Sequence, residues 1–318
     1  MLNRRQLRIK VFQCLYAYFC SGETNVAVAE KELNKCINAT FELMIWQLSL
    51  LTELHFHAER RMEDAKNKFM PTEEDLNPNL RFLNNRVILQ LNDNRNYKQL
   101  LDDFHVSWLE HGEAIRRIFN AIKSSEDYAA YLASSDNYAD DKKFVVDIFQ
   151  NFIFEDDFLI DLYETKNIYW YTDFFLSQFT LMKFFDNLTP NFGTDAKIEN
   201  SMMQKESTQY EEDKVFAREL LCNTIKIREH TLELIKGKII NWEMDRIATA
   251  DVIILQMAIT ELTEFPSIPV KVTINEYIEM SKAFSSSKSK IFINGVLDKL
   301  ISDLTESGEI RKTGRGLM

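Results

Sequence analysis

Apolar residues recur along most of this chain at helical spacing. In the opening segment Leu7, Val11, Cys14, Leu15 and Tyr18 fall within about 100° of arc, the stripe of a core-facing helix over Arg4 to Phe19, which Gly22 ends. Two more helices are expected over 25–36 and 41–68. In the last third, Val252 to Ile259 is apolar nearly all round, which makes its helix, 249–264, the buried centre of a bundle. Pro266 and Pro269 stop that helix and force an extended connection. Thr273 followed by Glu276 has capping-box spacing, so the next helix is expected over 274–284, burying Ile274, Ile278, Ser281 and Phe284. Ile293, Val296, Leu297, Leu300, Ile301 and Leu304 form the stripe of a closing helix over 291–304. A long helix over 212–236 and a short one near Trp242 precede this group. Further helical segments are expected over 96–111, 113–134, 140–154, 155–164 and 169–188. Alternating strand patterns bounded by turn residues are scarce, so the fold class is all-α.

Composition divides the chain into regions. Residues 1–70 hold the N-terminal helices, and 71–193 form an acidic, aromatic-rich helical region. The turn cluster around Pro190 and a polar stretch mark a linker at 194–211. Residues 212–306 form the C-terminal bundle, and 307–318 read as a disordered basic tail. Residues 101–200 hold 21 of the 38 aromatic side chains, interleaved with acids. These rings either pack a core of their own, as large rings usually do, or bind a partner. With 318 residues and 45% apolar content the chain can bury a sizeable core. Its apolar runs are far shorter than the roughly 20 residues of a membrane crossing, which implies no membrane association and a cytoplasmic protein. Cys14, Cys20, Cys36 and Cys222 show no metal-ligand or CxxC spacing and read as reduced thiols, with neither metal nor cofactor implied.

The net charge of −11 argues against nucleic acid until its distribution is considered. Residues 101–200 carry 19 acids and 8 bases, so the rest of the chain is neutral overall. The first ten residues hold Arg4, Arg5, Arg8 and Lys10 and no acid. Cations in the first turns of a helix oppose its macrodipole, and an anion could offset that cost. Arg5, Arg8, Phe12 and Tyr16 lie on a second stripe suited to phosphates and bases, although solvated charge would give the same pattern. Phe292, beside Lys290 and the loop Ser285 to Ser289 that contains Lys288, either offers a stacking face to an unpaired base or closes the flank of the core. Gly295 weakens its helix, and a close backbone approach would justify it.

Several strings in this order resemble the NusB family of transcription antitermination factors. Arg4-Arg5-Gln6-Leu7-Arg8 through Leu15-Tyr16 resembles that family's opening helix. Val215 to Leu221, Asp245 to Ile247, Ile254 to Leu262, Ile268 to Glu276 and Phe292 to Leu297 follow its C-terminal pattern in order and spacing. The resemblance covers about the first 20 residues and 212–304. It implies two packed helical bundles that bind single-stranded boxA-like RNA jointly with the small-subunit ribosomal protein also called NusE, within the RNA polymerase antitermination complex that promotes ribosomal RNA transcription. Carried over by position, it implies RNA contacts from Arg4, Arg5, Arg8 and Phe292, to which the local basic and aromatic pattern adds Tyr16, Lys288 and Lys290, the two lysines in a loop where the family commonly has acids. Tyr16, Asp245 and Asp251 would lie near the ribosomal-protein surface. Family members are usually about half this length, and the long form looks like those of the Bacteroidetes lineage.

Two other classes compete with the RNA-binding adaptor. A NusB-like domain also fronts some ribosomal RNA methyltransferases, but no GxGxxG or catalytic cysteine motif is present here. A protein scaffold would use the aromatic, acidic middle. No GxxxxGK[ST] or HExxH occurs either, and Glu261, embedded in an apolar helix, reads as an internal pair, so no catalysis is expected.

Overall fold

The first helix starts where Asn3 and Gln6 form a reciprocal capping box, and it ends at Gly22, whose φ of 71° only glycine adopts cheaply. The structure is a computed structural model, and it describes residues 2–203, 206–239 and 246–317. Every regular element among them is helical, so the fold is all-α. In chain order the helices are α1 (Arg4–Ser21), α2 (Val26–Lys66), α3 (Glu73–Leu76), α4 (Arg86–Asp93), α5 (Arg95–Asp103), α6 (Gly112–Lys123), α7 (Glu126–Ala133) and α8 (Tyr138–Ile148). They continue with α9 (Asp157–Lys166), α10 (Phe174–Asn187), α11 (Ile198–Met203), α12 (Thr208–Lys226), α13 (Arg228–Lys238), α14 (Thr249–Glu264), α15 (Val270–Phe284) and α16 (Ser289–Glu306). No helix of the described residues is long and apolar enough to cross a membrane.

These helices sort into two units, residues 38–206 and residues 2–37 with 207–318. In the second unit α14 is the hub, touching α1, α12, α13, α15 and α16. Every residue from Ile253 to Leu262 is buried, as the all-round apolar pattern requires. The expected stripes of α1 and α16 are also inward, except that Ile301 is only half-buried.

Differences from the sequence reading have local causes. The segments 25–36 and 41–68 are one helix, α2, because Ile37 to Thr40 contains no breaker and Ile37, Ala39 and Thr40 are buried. Conversely, the long helix expected over 212–236 breaks at Ile227 into α12 and α13. The connection after α14 is a tight turn in which Ile268 N–H donates to Phe265, and α15 starts directly after Pro269. Thr273 therefore lies inside the helix rather than at its cap, and the buried face becomes Thr273, Tyr277, Met280 and Ser281. The stretch expected as a linker carries α11 and the start of α12.

The terminal segment is docked. Lys312 Nζ donates to the carbonyls of Glu261 and Phe265 at 3.2 and 2.9 Å, satisfying orphan acceptors at the C-terminus of α14. Thr313 N–H bonds Pro266 O at 2.9 Å. A Cβ at Gly316 would fall 2.0 Å from the same carbonyl, so only glycine permits this approach.

The first unit packs its own aromatic core. Trp46 on α2 meets Trp108 and Trp170 at centroid distances of 5.6 and 6.3 Å, and Phe82 is ringed by Phe119, Tyr128 and Phe144. The buried Arg81–Asp141 pair, to which Tyr131 Oη and Asn85 also bond, ties this cluster to α8.

Candidate nucleic-acid interface

Four cations open α1 with no acid in its first turn, and Arg4, Arg5 and Arg8 meet carboxylates from distant helices. Arg4 Nε lies 3.2 Å from Asp213 on α12, and its guanidinium stands 5.0 Å from the Phe216 ring. Arg5 forms a bidentate pair with Glu276 on α15, both contacts at 2.8 Å. Arg8 is bidentate with Glu261 on α14 at 2.7 and 2.8 Å and also sits over Phe216, 5.2 Å from its centroid. The macrodipole cost read from the sequence is thus met inside the chain.

Exposure separates the three arginines. The Arg5 side chain is 54% exposed and that of Arg4 39%, whereas Arg8 is 4% exposed against a Glu261 side chain at 0%. Arg8 was expected at RNA phosphates; instead its fork is consumed in a buried pair, and it acts as a strut between α1 and α14. Thr273 Oγ1 and Tyr277 Oη also donate to Glu261, at 2.9 and 3.2 Å, so this carboxylate gathers α1 and α15 onto α14. Burial by itself would lower the Arg8 pKa, but the hydrogen bonds and charge of Glu261 outweigh it and hold the guanidinium above its ordinary value.

Helix α1 packs on α12 and α14 and reaches α15 through side chains in the same chain order. Arg5 meets Glu276, and further along both helices Phe12 meets Phe284 at 5.1 Å. A groove of about 230 Å³ between them is lined by Arg5, Ile9, Glu279, Met280 and Phe284. Of the second stripe, Phe12 is buried with Arg8, while Tyr16 is 43% exposed, its ring tilted against that of Phe12 at 6.2 Å. The chain leaving Phe284 enters the serine and lysine loop, where Lys288 and Lys290 are exposed and Phe292 is half-buried.

That loop is held by a hydroxyl relay. Ser285 and Ser286 bond Ser289 Oγ at 2.9 and 2.8 Å, and Ser289 donates to Asp251 Oδ2 at 2.8 Å. Asp251, expected on a partner surface, is therefore 5% exposed and fixes the start of α16 to the start of α14. Asp245 lies outside the described residues. Around Gly295 no atom comes within 4 Å of an added Cβ, so the close backbone approach expected there is not made. Sequence reasoning gave no role to Asp213, Phe216 or Tyr277, all functional in holding α1. Among the described residues no three His, Cys, Asp or Glu side chains are grouped to hold a metal.

This arrangement, an arginine-led helix laid along the C-terminal helices of an all-α unit, defines the class to which the chain can be compared. A family model described as the NusB family matches residues 178–302. The chain is 39% identical over 134 residues to the transcription antitermination protein NusB of Salinibacter ruber, covering 41% of this chain and 84% of that protein. It is 36% identical over 107 residues to that of Bacillus licheniformis, covering 34% and 83%, and 41% identical over 78 residues to that of Chloroherpeton thalassium, covering 24% and 37%. No solved structure matches. The chain belongs to the NusB family.

Proposed function

We propose that this protein is a non-catalytic transcription antitermination factor that binds single-stranded boxA-like RNA together with the ribosomal protein NusE, as part of an RNA polymerase antitermination complex. The relatives' shared name supports the general role. The observation that carries the RNA-binding reading is the pair of side-chain contacts from α1 to α15, Arg5 against Glu276 and, further along both helices, Phe12 against Phe284. It brings the basic opening helix to the segment that leads into Lys288, Lys290 and Phe292.

Within this reading Arg5, Lys288 and Lys290 neutralise phosphates, Arg4 adds its remaining N–H groups while its Nε stays on the buried Asp213, and Phe292 offers a ring to a base. Arg5 can exchange Glu276 for a phosphate because a half-exposed ion pair is worth only about 0–1 kcal/mol. Arg8 cannot, since releasing it would strand Glu261 in the core at a cost of about 3–5 kcal/mol. Tyr16 faces the ribosomal protein. The reading is tested by titrating the full chain with a boxA-like RNA and a scrambled RNA, each with and without NusE. Tighter binding of the boxA-like RNA, strengthened by NusE, is expected; equal affinity for both RNAs would overturn it.

A further inference from the structure

The first unit carries a row of rings that its own core does not use. Helix α10 buries Leu176, Leu181, Phe184 and Phe185 on one face, with Phe185 5.0 Å from Phe149. On the other face Phe175 and Phe179 are 81% and 64% exposed, and in the segment leading into the helix Tyr171 and Ile168 are 67% and 83% exposed. Phe175 and Phe179, four residues apart on α10, lie within about 40° of arc over about 6 Å, and Tyr171 stands in the 3-10 turn that leads into the helix. Single exposed apolar side chains are ordinary on a protein surface, but a contiguous run of large rings marks a docking face. Rotating α10 could not bury them, because the same rotation would expose Leu181, Phe184 and Phe185.

The surrounding charge specifies the occupant. Glu155, Asp157, Asp161, Glu164 and Asp186 are exposed, and among the described residues none of the five takes part in an ion pair. Of the cations near them, Lys166 is engaged over the Trp46 ring at 4.1 Å, Arg117 is paired with Asp156, and Lys142 donates to the carbonyls of Asp186 and Leu188, so with Lys183 added the five carboxylates still outnumber the cations not paired to an acid. Two of the acids, Glu155 and Asp186, are placed beside the row, and the three on α9 extend the negative field from that helix's outer face. Gln178, next to Phe179 in sequence, donates to Phe154 O at 3.2 Å and so brings Glu155 to the edge of the row. Asp186 follows Phe179 by seven residues, within about 20° of it around the helix. Helix α9, which bears the other three acids, packs through Tyr163 on Trp170 and Phe174 at 6.0 and 5.9 Å.

We infer that this face docks a cationic protein segment that surrounds apolar anchors with Lys or Arg, in the manner of a basic amphipathic helix. The rings supply both an apolar seat and π faces for the cations, and the five carboxylates supply the complementary field. A second copy of this chain would set like charges against each other, and RNA phosphates would meet the same repulsion.

The test uses the full chain and a fluorescent amphipathic peptide of about 18 residues, five helical turns, with Leu at helical spacing and Lys elsewhere. A Glu-for-Lys analogue serves as control. The wild type should bind the Lys peptide and not the Glu analogue. Phe175→Ala with Phe179→Ala should weaken binding about tenfold or more with the fold unchanged, both rings being exposed. Glu155→Gln with Asp161→Gln should weaken it and flatten its salt dependence. Failure of the wild type to bind, or equal affinity in the double phenylalanine variant, would overturn the inference. So would a dimer, seen by sedimentation, that this variant abolishes. Binding of boxA-like RNA should be untouched by the phenylalanine changes; its loss would assign the rings to the RNA surface instead.

Discussion

Arg8 and Glu261, 253 positions apart in sequence, form a buried bidentate ion pair with contacts of 2.7 and 2.8 Å. The pair draws the first helix of the chain onto α14, and Thr273 and Tyr277 complete the carboxylate's coordination from α15. The neighbouring pair, Arg5 with Glu276, has the same chemistry and lies at the surface. Burial thus separates a structural arginine from one that can serve a ligand.

Arg8→Ala should destabilise the protein by about 3–5 kcal/mol, because the Glu261 charge would remain buried without its counterion. Urea unfolding measures this. A loss below about 1 kcal/mol, the range of surface pairs, would contradict the role given to Arg8.

Gly295→Ala should stabilise the protein by about 1 kcal/mol, since Gly295 is helical and an added Cβ meets no atom within 4 Å. A raised Tm is expected, and a lowered one would mean that the space beside Gly295 is not open.

The thiols should differ sharply in reactivity. Cys14 is held above its ordinary pKa by its hydrogen bond with Cys36 and by burial, and Cys222 is pushed up to about 11 by burial and the Glu30 carboxylate. Cys20 is exposed. At pH 8 a thiol reagent should label Cys20 rapidly and Cys14 and Cys36 only on unfolding; fast labelling of Cys14 in the native state would contradict the packing of α1.

Asp75 should titrate at about 2, lowered by the Thr72 backbone N–H and by Lys68. Its folded pKa lies below the unfolded one, so what it adds to the stability of α3 is present above about 4 and is lost as pH falls through about 2. NMR of the carboxyl carbon reads this directly. Lys68→Met should move the midpoint upward, and a wild-type midpoint near 4 would contradict the capping geometry.

The helical class, the buried α14 and the α16 stripe were legible because apolar periodicity reports which face is inward. The roles of individual polar residues were not. Thr273 and Glu276 have capping-box spacing, yet Pro269 starts the helix earlier and distant residues claim both side chains: Thr273 donates to Glu261 and Glu276 accepts from Arg5. Arg5 and Arg8 share a stripe on α1, and only the partners brought by folding distinguish them. Asp251 looked like a surface acid because its partner, Ser289, is 38 residues away. The basic tail looked frayed because nothing local shows that the carbonyls ending α14 would need Lys312.

The central claim, that the basic and aromatic groups of the two chain ends form one RNA surface, is tested most directly by the salt dependence of boxA-like RNA binding. Wild type, Arg5→Gln, Lys288→Gln with Lys290→Gln, and Phe292→Ala would be compared. Each lost phosphate contact should lower the slope of log K against log salt by about 0.7. Phe292→Ala should cost roughly 1–3 kcal/mol with the slope unchanged. Wild-type slopes in the cation variants together with wild-type affinity in Phe292→Ala would contradict the account.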